Sequence, residues 1–71
     1  MIELVIRNND DSITKTVINI KYVRWFDLLG SSGELLIWMI GNEFPLIFTN
    51  EILTECTIED VYKHIKVLLR K

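Results

Sequence analysis

Alanine is missing altogether from this chain, and cysteine, histidine and proline occur once each. A lone Cys56 excludes an internal disulfide, and Cys56 with His64 is too few donors for the tetrahedral set of a protein-only zinc site. Positive charge is not in excess. Eight Lys and Arg face ten Asp and Glu, for a net charge of −2, which removes any global attraction to nucleic acid or anionic membranes. No apolar run approaches the roughly 18 residues of a membrane-crossing helix. The opening MIELVIRNNDD also lacks the charged, apolar and small-residue regions of a signal peptide. These absences predict a cytoplasmic protein that uses no cofactor and no membrane. The lack of alanine beside abundant Ile, Asn and Lys fits an AT-rich coding sequence, as in small phage or mobile-element genes.

Seventy-one residues make one small domain, 1–71, and a chain of this size buries only about 60% of the surface its unfolded form exposes. Disulfide and metal being excluded, association with another chain is the remaining source of stability.

What the sequence does have is a central stretch, Glu34 to Thr49, reading ELLIWMIGNEFPLIFT. Two apolar runs flank Gly41-Asn42, the pattern of a β-hairpin with a type II′ turn. Ile40 opposite Glu43 sets Met39 against Phe44, Ile37 against Leu46 and Leu35 against Phe48 on one side of the pleat. Leu36, Trp38, Ile40, Pro45 and Ile47 take the other side. Both faces are therefore apolar.

Upstream, Met1 to Arg7 alternates as a half-buried strand does. The polar cluster Asn8 to Ser12 leads to a partner strand starting near Ile13, with the register open by one residue. That cluster lacks the spaced ligands, central Gly and distal Glu of an EF-hand and reads as a solvated turn. The run Ile13 to Leu29 is too long to stay straight in a domain with a radius of gyration of about 11 Å. It either turns or bulges between Asn19 and Tyr22 or coils as one strand shared by two halves of a barrel. Gly30 to Gly33 is a hairpin loop, not a phosphate cradle, because a strand follows it and no Lys does. Leu29 opposite Glu34 then pairs Trp25 with Trp38. Asn50 to Cys56 shows no period and has room for one helical turn over Glu51 to Thr54. Thr57 to Asp60 has the spacing of a capping box, with Cys56 and Val61 at the staple positions. Ile58, Val61, Tyr62, Ile65, Leu68 and Leu69 form one helical stripe. Glu59 and Asp60 at one end, and Lys63, Lys66, Arg70 and Lys71 toward the other, complement the helix dipole.

The predicted fold is α+β: a small antiparallel sheet or half-barrel of four to five strands in meander order, then one C-terminal helix, about 57–70, packed on one face. One helix is about 10 Å wide and a four- or five-stranded sheet about 20 Å, so one face has no lid. Either the sheet closes on itself, or another chain covers it.

Candidate chemistry is sparse. Cys56 precedes a helix, and His64 lies one turn beyond Asp60, but hydrophobic-staple and i,i+4 contacts explain both. No nucleophile–base pair or metal cluster is visible, so no enzyme is predicted. Lys15, Lys21, Tyr22 and Arg24, next to Trp25, mix cations with stacking surfaces as single-strand binders do, though without an RNP motif. Nucleic acid is the second reading. The first is a protein-interaction module, a homodimer or a partner for another protein, joined through Trp25, Leu36, Trp38, Ile40, Pro45 and Ile47, since tryptophan is favoured at interface hot spots.

Overall fold

A computed structural model describes residues 1–70. Strand β1 (Ile2–Arg7) pairs antiparallel with β2 (Ile13–Ile18), with Arg7 opposite Ile13 and Ile2 opposite Ile18. This settles the open register. The connecting loop satisfies its own polar groups: Asn8 N–H donates to Ser12 O at 2.8 Å, and Ser12 N–H donates to Asp10 Oδ1 at 3.0 Å. The Ser12 hydroxyl and amide hold the exposed Asp10 carboxyl below its usual value. Asp11 takes the left-handed conformation, φ 66°, which a short polar side chain tolerates.

The long run beyond Ile13 does turn where alternation falters. Asn19 caps a single 3-10 turn, Ile20–Tyr22, by accepting from Lys21 N–H at 3.1 Å, and β3 (Val23–Leu29) leaves in a new direction. β3 pairs with β4 (Glu34–Met39), and β4 with β5 (Leu46–Thr49). The predicted registers hold: Leu29 faces Glu34, Trp25 faces Trp38, Ile37 faces Leu46 and Leu35 faces Phe48. Arg24 is the extra residue of a β-bulge between Val23 and Trp25.

Two expectations are corrected. The strands do not form one meander but two sheets, β1-β2 and β3-β4-β5. The β4–β5 turn is not of type II′ with Gly41 leading. Asn42 N–H donates to Met39 O at 3.2 Å, and Gly41, φ +91°, is the third residue of that turn, where a type II turn needs a positive φ. The loop then runs on to Pro45, whose missing N–H suits the position just before a strand. Phe44 consequently leaves the ladder and is 77% exposed instead of packing against Met39. The 50–56 segment does hold a single helical turn, set about two residues earlier than Glu51–Thr54: Leu53 N–H donates to Thr49 O at 3.0 Å, and Leu53 then bridges to Ile6. Arg7 N–H donates to Ile52 O at 2.8 Å and Thr54 N–H to Val5 O at 3.1 Å, so this segment serves β1's second edge.

Helix α1 (Ile58–Leu69) begins and ends as its sequence signals indicate. Thr57 Oγ1 accepts from Asp60 N–H at 3.1 Å, Asp60 Oδ2 accepts from Thr57 N–H at 3.3 Å, and Asn50 Oδ1 accepts from Ile58 N–H at 2.8 Å. These bonds satisfy three donors at the helix start that have no partner within the helix. Lys71, one of the C-terminal basic group, lies outside the described residues. The buried stripe Ile58, Val61 and Ile65 joins Ile2, Leu4, Ile18, Val23, Leu35, Ile37, Phe48 and Leu53 in one core. Tyr62 meets Phe26 edge-on at 5.3 Å between ring centroids, fixing the helix over the inner side of β3 and β4. Removing the Thr57 cap (Thr57→Ala) should lower stability by about 1 kcal/mol, a fall of roughly 4–8 °C in a thermal melt. Thr57→Ser keeps the acceptor oxygen and should melt within a degree or two of the native chain.

Candidate protein-interaction face

The outer face of β3-β4-β5 is built by strand alternation. Leu35 and Ile37 point into the core, so Leu36 and Trp38 point out. Their cross-strand neighbours follow: Ile47 faces Leu36, and Trp25 faces Trp38. Ile40 N–H donates to Tyr22 O at 2.7 Å, extending the β3–β4 pairing by one row and setting Tyr22 beside Ile40. The bulge at Arg24 matters here. It absorbs one residue, so Tyr22 and Trp25 share the outer side despite their odd spacing.

Trp25 is 61% exposed, Ile40 60% and Ile47 50%, while Leu36, Trp38 and Pro45 are half-buried. The sequence-predicted interface residues thus gather on one contiguous surface opposite the helix. Two members of this surface escaped the sequence reading. Tyr22 entered only as a nucleic-acid candidate, and Asp27 not at all, although two residues on from Trp25 in a strand is always the same face. Asp27 Oδ2 accepts the indole N–H of Trp25 at 3.1 Å. The indole's only donor is thereby satisfied within the chain and its ring is oriented, so a partner meets an apolar plate that needs no acceptor.

The accessible surface, 5106 Å² for 8.4 kDa, exceeds the about 4,600 Å² expected of a folded monomer of this mass, and the exposed large apolar side chains include Trp25, Ile40 and Ile47 on this face and Met1, Ile13, Val17 and Val67 elsewhere.

The nucleic-acid set is only partly assembled. Lys21, Tyr22 and Arg24 are exposed at one end of this face, whereas Lys15 sits on β2 in the other sheet, opposite Val5. Among the described residues no group of three or more His, Cys, Asp and Glu is placed to hold a metal ion. Cys56, Asp60 and His64 line one shallow hollow with Glu3. Partial burial pushes the Cys56 thiol up, and the Asp60 and Glu55 carboxylates push it further, keeping it protonated and weakly nucleophilic at neutral pH. No helix among the described residues is long and apolar enough to cross a membrane. No protein-family model, curated protein or solved structure matches the chain.

Proposed function

We propose that the protein is a non-enzymatic protein–protein interaction module, a small cytoplasmic regulator or inhibitor that acts by occupying a surface, with another copy of itself among its partners. The supporting observation is the contiguous apolar outer face centred on Trp25, Trp38, Leu36 and Ile47, which no element of the chain covers among the described residues. A composition resembling that of phage or mobile-element genes fits a small factor of this kind. Light scattering over a wide concentration range tests the reading. The native chain should associate, and Trp38→Glu should lose association while its circular dichroism is retained, because a carboxylate placed in an apolar contact cannot be desolvated without a partner. Ile47→Glu, at a half-exposed position, should act the same way. A Trp38→Glu chain that unfolds, with an Ile47→Glu chain that associates normally, would make Trp38 a core residue and end the proposal.

One observation favours a second reading, a regulator that binds single-stranded nucleic acid: Lys21, Tyr22, Arg24 and Trp25 lie together at one end of the face. In that case tryptophan fluorescence would quench on adding oligonucleotide at low salt and recover as salt rises. Fluorescence that stays constant at every salt concentration removes this reading.

A further inference from the structure

The outer face is mainly apolar in its middle rows and carries opposite charge at its two ends. Its rows run from Tyr22 and Ile40, through Trp25 and Trp38, then Asp27, Leu36 and Ile47, to Leu29, Glu34 and Thr49. Lys21 and Arg24 flank the first two rows, and both are exposed. No Lys or Arg occurs anywhere from Trp25 to Tyr62, so these two supply all the positive charge that β3, β4, β5 and their loops can offer. Glu43 is the one acid at that end, in a hollow with Arg24 and Phe44. The last row holds Glu34, with Glu51 beside Thr49 in the turn that follows β5.

We propose that the occupant of this face is a second copy of the chain, laid face to face with its strands reversed, so that Lys21 and Arg24 of each copy meet Glu34 of the other. This rests on reading the face as an interface, and adds which partner sits there and in what orientation. Two copies joined by a twofold axis through the same patch can be related in two simple ways. An axis along the strands keeps each row over the same row, so that Glu34 lies on Glu34 and the two basic ends lie at the same end of the pair, and like charges across an interface oppose binding. An axis across the strands keeps β3 over β3 and exchanges the two ends, so that every charged end finds its opposite. The tryptophan row of one copy then lies on the Asp27, Leu36 and Ile47 row of the other, where the Asp27 carboxylate already accepts the indole N–H of its own chain's Trp25.

Charge exchange tests the orientation. In sedimentation of the full chain, Arg24→Glu and Glu34→Arg should each raise the dimer dissociation constant by about tenfold or more at low salt, and the double variant R24E/E34R should return to within about threefold of native. A complementary test needs no charge change. With Cys56→Ser as background, an equimolar mixture of chains carrying R24C and E34C should oxidise mainly to the mixed R24C–E34C product, not to either homodimer. Single variants that dimerise as tightly as the native chain, with W38E monomeric, would overturn the reversed arrangement while leaving the face as the interface. Preferential R24C–R24C and E34C–E34C crosslinks would do the same. W38E dimerising like the native chain would instead overturn the reading of the face itself. A native chain that stays monomeric at every concentration ends the second-copy proposal and leaves the face to a different protein.

Discussion

Ile37→Ala should remove a large part of the protein's stability. Ile37 is fully buried at the centre of β4, facing Phe26 on one side and Leu46 on the other, within the core that also contains Ile58, Val61 and Ile65 of the helix. Deleting its outer methyl and methylene groups costs their transfer free energy and leaves a cavity, together about 2–5 kcal/mol. A chain of this length has a total stability of about 4–11 kcal/mol, so the substitution removes much of what there is. A thermal melt should shift down by roughly 15–30 °C. Ile47→Ala, ten residues further along on the outer face, is the control. Half-exposed and without a lid, Ile47 should cost under about 1 kcal/mol when truncated. Equal losses at the two positions would mean that the outer face is packed in the free chain.

The second large effect is expected at Thr54. Its N–H and its hydroxyl both donate to Val5 O, at 3.1 and 3.2 Å, across the seam that ties the first sheet to the rest of the fold. Thr54→Pro removes both donors and also restricts Leu53, the buried residue that bridges to Ile6. A loss of about 3 kcal/mol follows from the broken ladder contact and the unsatisfied carbonyl. Thr54→Val keeps the N–H and gives up only the exposed hydroxyl contact, so it should cost under about 1 kcal/mol. Amide exchange would localise the damage. In the Pro variant the amide of Arg7, which donates to Ile52 O, should lose protection before those of β4 do. Uniform loss in both sheets would show that the seam and the core open as one unit.

These two sites also mark where the sequence was legible. Ile37 lies in a run whose alternation, together with Gly41-Asn42 and Gly30 to Gly33, determines both registers of the three-stranded sheet, because a one-residue slip would turn the whole apolar set outward. The helix was legible for a similar reason, as the capping box and the 3.6-residue stripe are both local. The exact turn was not. Phe44 falls in an unbroken apolar pattern, and only Pro45 hints that the ladder stops short of it. The seam at Thr54 was hidden altogether. Its partner Val5 is 49 residues away, the contact is made mainly by backbone groups, and no periodicity announces it. The division into two sheets shares that cause, since it depends on the direction the chain takes after the 3-10 turn Ile20–Tyr22. For the candidate face, alternation placed Trp25, Trp38, Leu36 and Ile47 together. Tyr22 was missed because the bulge at Arg24 changes which side it takes, and a bulge leaves no mark in this composition.

That seam also orders events during synthesis. The β1–β2 hairpin is made before Ile52 to Thr54, the segment for which one edge of β1 waits. Until then the nascent chain presents a bare strand edge, with the buried side of Ile2 and Leu4 uncovered, which is the condition under which neighbouring chains on one message cross-pair. β1 is thus completed by residues as far as 49 positions downstream, and the interval between the two is when its open edge can pair with a neighbouring chain.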